Sequence, residues 1–170
     1  MGVAQWYVHL RHHFTDIILS YTLALGVFRK LLPLARTHNA RVILLNRRDF
    51  PGTEPYTEEE LALLPPPPGE EQAGTFTEGP NVRAFMQARA RELYDFLVDL
   101  VRRDGIPRAQ RERNFGGIVV VGWSFGVTWM SALLSHVASF PVPPGEPSLR
   151  EHILRVVFFG TRITPHNIRY

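Results

Sequence analysis

The stretch Gly116 to Leu134, GGIVVVGWSFGVTWMSALL, constrains the fold of this chain more than any other. Ile118 to Val121 is a β-branched run with the length and composition of a buried strand, and it stops at Gly122. A helix-length apolar segment, Val127 to Leu134, begins almost at once afterwards. Between them stands Gly122-Trp123-Ser124-Phe125-Gly126, a G-x-S-x-G pattern in the strand-to-helix context that gives the pattern chemical meaning.

A serine lifted out of so tight a turn takes up a strained backbone and has neighbours within van der Waals reach on both sides. Glycine at 122 and 126 removes the side chains that would clash there. Ser124 Oγ would then stand exposed as a nucleophile at the carboxyl end of a strand, near the positive end of the next helix. The backbone N–H of Phe125 would face a developing oxyanion. The plainer alternative is a glycine-rich turn whose serine only caps the helix.

Here the chain resembles the alpha/beta hydrolases, in particular their small-molecule esterase and epoxide-hydrolase-like branch. Besides the elbow, the resemblance rests on Val27 to Leu64, where a helix leads into the strand Val42 to Leu45 and then into Asn46 to Thr53, similar to the family's D-x-x-G-x-[ST] segment. The similar region runs from about Val27 to Phe159. It implies a partial hydrolase fold: an α/β, three-layer, mostly parallel sheet with helices on both faces, spanning the family's third to sixth strands. The family's His-Gly motif is replaced by Leu19 to Gly26, where Gly26 is the flexible position left to the substrate-binding loop.

The rest of the sequence fits one domain, residues 1–170. Its composition, 45% hydrophobic and 21% charged, is ordinary for a globular protein. The net charge of +3 would suggest nucleic acid if the basic residues were concentrated, but Arg47 and Arg48, Arg102 and Arg103, and Arg108 to Arg113 fall in separate turns among acidic residues. No nucleic-acid partner is expected. The chain has no cysteine, which excludes a disulfide framework and a thiol nucleophile and favours a cytoplasmic setting. His12 and His13 have no partner at ligand spacing, so no metal site and no cofactor is expected.

Residues 1–25 are atypical. The apolar stretch Ile17 to Val27 is too short to cross a bilayer, and no small-residue cleavage site follows it, so stable membrane insertion is not expected. Ile17 to Leu23 reads as a strand feeding a helix from Val27 to Thr37. Residues 65–81, with Pro65 to Pro68 and Gly79-Pro80, read as a flexible surface loop. Val82 to Arg103 has apolar residues at helical spacing and ends in Asp104-Gly105-Ile106-Pro107. The elbow helix runs to about Ser139, and Glu151 to Phe159 passes from a helix end into a strand. This alternation of strand and helix predicts a parallel sheet.

The triad of the resembled family follows in the order Ser, Asp or Glu, His. After Ser124 the chain has no aspartate, and Glu146 and Glu151 precede the last strand. His136 lies too far down the elbow helix to reach Ser124, and His152 falls at the opposite edge of the sheet. His166 follows the last strand and is the candidate base. The chain ends four residues later, so the expectation is a hydrolase domain truncated at its carboxyl end.

Three readings follow. The first is a serine hydrolase of small carboxylic esters or related acyl substrates, with Trp123 lining the acyl site. The second is a catalytically inactive hydrolase-fold module, in which uncovered apolar sheet surface favours self-association. The third is another doubly wound domain that holds a phosphate-bearing ligand at the Gly122 to Gly126 turn. It lacks the glycine patterns of such sites.

Overall fold

A computed structural model describes residues 15–21, 30–46, 48, 53–64, 80–124 and 126–159. The elements are β1 (Thr15–Tyr21), α1 (Leu31–Thr37), β2 (Ala40–Asn46), α2 (Glu58–Leu61), α3 (Pro80–Asp104), β3 (Ile118–Trp123), α4 (Gly126–His136), α5 (Leu149–His152) and β4 (Ile153–Phe159). The chain is therefore α/β, and among the described residues all three ladders of a four-stranded sheet are parallel, in the order β2-β1-β3-β4.

The order departs from the sequence order at one place. The chain steps from β1 outward to β2, then returns to lay β3 on the other side of β1, with β4 beyond it. Register is set by pairs such as Ile17 with Val42 and Ile17 with Val119. At the upper edge, Asn46 lies beside Tyr21 and Gly122 beside both Ser20 and Phe158. The carboxyl ends of all four strands thus share one edge.

Side-chain alternation divides β2 between two clusters. Ile43 and Leu45 join Ile118 and Val120 of β3 in the main core, with Leu93, Leu97 and Leu100 of α3 and Met130 and Leu133 of α4. Val42 and Leu44 point the other way, onto Ala35 of α1, with Leu31 and Val121 beside them. α3 supplies the largest share of the main core because its buried residues recur every three or four positions, from Phe85 through Leu93 and Leu97 to Val101. It stops where Gly105 enters the left-handed region at φ +62° and the Ile106 N–H bonds back to the Val101 carbonyl. On β4, an edge strand of the described sheet, Val157, Phe158 and Phe159 are exposed.

Several boundaries differ from expectation: β3 does not stop at Gly122 but runs on to Trp123, β2 extends beyond Val42 and Leu45 to span Ala40–Asn46, and α4 ends at His136, with a 3-10 turn over Val137–Ser139. The first strand begins at Thr15 rather than Ile17, with Asp16 in register with Arg41 and Ile118, and is described as far as Tyr21, while Thr22 and Leu23 lie outside the described residues. Pro80 and Asn81 belong to α3 rather than to the loop before it. Proline suits a first helical turn, whose N–H groups have no partner within the helix. The remainder of the expected loop, residues 65–79, lies outside the described residues, as do residues 1–14 of the atypical amino-terminal segment. No helix among the described residues is long and apolar enough to cross a membrane.

Candidate functional site at the carboxyl edge

Ser124 follows the last residue of β3, an interior strand, and precedes α4. It is exposed, and its φ is +52°, in the left-handed region that costs a side-chain-bearing L-residue about 1–2 kcal/mol. Two backbone bonds hold it there: its N–H donates to the Phe159 carbonyl at 2.9 Å, and its carbonyl accepts from Val127 N–H at 3.1 Å. The first ties the turn to β4 and the second starts the helix. A strained serine fixed from both sides is the geometry expected of a nucleophile on an elbow.

Gly122 shows why the motif needs glycine. A Cβ there would come within 2.8 Å of Met130 Cγ and 3.0 Å of Val127 Cα, because α4 lies directly over the end of β3. Gly126 opens α4 and is itself buried. Gly122→Ala is expected to force α4 off the strand and destabilise the fold by about 1–3 kcal/mol. The check is a lower urea midpoint with unchanged slope.

Strand order adds a second, independent reason to look here. β1 and β3 are neighbours from which the chain departs to opposite sides, and in open parallel sheets ligands bind outside the carboxyl ends at such a switch point. Ser124 stands at its rim. Trp123 is partly buried and alternates onto the side of Val119 and Val121, opposite Gly122. Trp129 is part of the packing, its ring centroid 6.3 Å from that of Phe85.

The other expected site residues separate into two groups. Gly26, Phe125 and His166 lie outside the described residues. The described histidines are all remote from the serine. His38 precedes β2, His136 ends α4, and His152, buried and bonded through Nδ1 to the Ser148 carbonyl at 2.9 Å, precedes β4. All three occupy the amino-terminal edge. Seven strand positions separate His152 from Phe159, about 23 Å at the usual rise.

On the β2 side, the carboxyl edge holds a charged cluster whose members lie far apart in the sequence. Arg48, just beyond β2, donates to Glu60 at 2.7 and 2.8 Å, to Glu92 at 2.9 Å and to the Pro55 carbonyl at 2.6 Å. Arg89 of α3, only 7% exposed, pairs with Glu60 and with Glu92. Both guanidinium groups also lie over the Tyr56 ring, at 4.9 and 5.0 Å. Glu60 is held in place by a capping box with Thr57. Burial works to raise the Glu60 pKa, but the Thr57 N–H and the two arginines outweigh it and lower it to about 2. Two positive and two negative groups leave the cluster neutral, so its work is to clamp the 53–64 strap over α3, beside Phe85 and the elbow helix. Two sequence signals point to it: Arg89 interrupts the apolar stripe of α3 between Phe85 and Leu93, and Thr57-x-x-Glu60 has capping-box spacing.

Among the described residues, no group of histidine and carboxylate side chains could hold a metal ion. No family model matches the chain, and no curated protein or solved structure does so either.

Proposed function

We propose that this chain is a serine-nucleophile hydrolase of the alpha/beta-hydrolase kind, with a partial three-layer sheet, acting on small carboxylic esters or related acyl substrates. The observation that carries this reading is the left-handed backbone of Ser124 at the carboxyl end of an interior parallel strand. A serine that only capped α4 would be expected in the extended region. Position 124 is instead held in a conformation that lifts the side chain out of the turn.

In this mechanism Ser124 Oγ attacks the substrate carbonyl, a base takes its proton, and the Phe125 N–H meets the oxyanion. The base must come from outside the described residues, since the described histidines lie at the opposite edge. His166 is the candidate: it follows Phe159 by seven residues, a reach of up to about 25 Å, and the Phe159 carbonyl already bonds to Ser124 N–H. Trp123 and Gly26 remain the proposed substrate-side residues.

A second reading, an inactive hydrolase-fold module, is favoured by that same placement of His38, His136 and His152. One experiment separates the two. The folded chain is incubated with a fluorophosphonate, which modifies activated serines, and its intact mass is measured. A single adduct mapping to Ser124, absent in Ser124→Ala and strongly reduced in His166→Ala, is expected. A folded chain that takes no adduct would establish the inactive module.

A further inference from the structure

Five arginines from two segments far apart in the sequence gather at the amino-terminal edge of the sheet. The loop from Arg108 to Asn114 and the segment from Arg150 to Arg155 interlock there. Ala109 N–H donates to the Glu151 carbonyl at 2.8 Å, and Arg111 donates to the carbonyls of Arg150 and Ile153 at 2.5 and 2.9 Å. Arg155 donates to the Asn114 side-chain oxygen. Five arginines meet two glutamates in these two segments, an excess of three. That equals the formal net charge of the whole chain, +3, so the remaining lysines and arginines balance the remaining acids.

Most of this charge is not neutralised within the fold. Arg108 pairs with Glu151 at 3.2 Å, but Arg111 is spent on neutral carbonyls and Arg155 on a neutral amide. Arg113 and Arg150 are exposed. The platform is also rigid. Gly116 and Gly117 have φ of +65° and +69°, and a Cβ on them would come within 2.7 Å of the Arg108 carbonyl oxygen and 2.6 Å of the His152 carbonyl oxygen. Gln110 and Phe115 close the loop with reciprocal backbone bonds at 2.8 and 3.3 Å. The backbone that carries Arg108, Arg111 and Arg113 is thereby held in one conformation, so ordering it adds little to the cost of binding.

We propose that this edge is a docking surface for an acidic polypeptide segment. Its cations are all arginines, whose planar forks match carboxylates in bidentate pairs. Glu112 and Glu151 stand among them, so the arginines form separated forks rather than a continuous cationic track, a spacing that suits carboxylates placed along a peptide. No exposed aromatic side chain stands in either segment to stack on bases, since Phe115 is partly buried.

The test uses the full chain and a fluorescent glutamate-rich decapeptide, read by anisotropy at low and at physiological salt. Arg113→Glu with Arg150→Glu is expected to weaken binding at least tenfold. Lys30→Glu with Arg83→Glu, which changes the net charge equally at exposed positions outside the platform, is expected to change it less than twofold. Equal weakening in both variants, or no binding by the wild-type chain, would overturn the proposal. Tighter binding to a single-stranded oligonucleotide of the same charge, or to anionic vesicles, would overturn it in favour of those partners.

Discussion

Ser124→Gly is expected to abolish hydrolysis of a short-chain aryl ester while leaving the fold more stable than Ser124→Ala leaves it. Both substitutions remove Oγ, and loss of a catalytic nucleophile lowers turnover on the order of a thousandfold or more. They differ in the backbone. At φ +52° alanine keeps the strain that serine bears, whereas glycine occupies that region freely. Glycine also enlarges the freedom of the unfolded chain, so its advantage over alanine is about 1 kcal/mol, or a few degrees in melting temperature. Thermal melts of the three proteins, run beside the ester assay, give both readouts. Hydrolysis that survives in both variants would remove Ser124 from the chemistry, and an alanine variant as stable as glycine would mean the backbone relaxes once Oγ is gone.

The larger effect on stability belongs to Arg89. Its guanidinium is buried between Tyr56 and Phe85 and pairs with Glu60 and Glu92. Removing one member of a buried ionic group leaves the others uncompensated, and Arg89→Ala is expected to cost about 3–5 kcal/mol. Arg89→Met with Glu60→Gln removes charge from both sides and should recover part of that loss, which urea unfolding at neutral pH will show. The cluster also has a pH signature. Because the folded-state pKa of Glu60 is lowered from 4.5 to about 2, its contribution is fully present above pH 4.5 and is lost as pH falls from there toward 2. With the side chain still partly open to water, the expected contribution is about 2–3 kcal/mol. In Glu60→Gln that part of the acid limb should be missing. An unchanged slope of stability between pH 5 and 2 would show that another carboxylate governs it.

Much of the fold was legible in the sequence because it is written in local periodicity. The β-branched runs became β2 and β3, the helical spacing of Phe85, Leu93, Leu97 and Leu100 became α3, and Gly105 ended it. The elbow was legible for a related reason: two glycines and a serine between a strand and a helix admit few backbones, and the observed φ of Ser124 is among them. Long-range pairing was not legible. Nothing local tells β1 to stand between β2 and β3. Arg48, Glu60, Arg89 and Glu92 come from three separate segments, and each looks like an ordinary surface charge until the fold brings them together. Arg108 to Arg113 looked scattered for the same reason, since Arg150 and Arg155 reach it only through the interlock of the last helix and strand.

The central position of β1 also bears on how the chain acquires its structure in time. β1 meets β2 across a short separation, Ile17 beside Val42, but meets β3 only across about 100 residues, Ile17 beside Val119. Closing so long a segment is the slow kind of step in folding, because its loss of chain entropy precedes any reward from contact. During synthesis β1 and β2 can pair while the rest is still being made, yet the strand that carries Ser124 cannot join them until the chain beyond residue 119 has emerged. The serine turn can therefore be completed only after the pairing that closes that long segment, whatever β1 and β2 have formed before it.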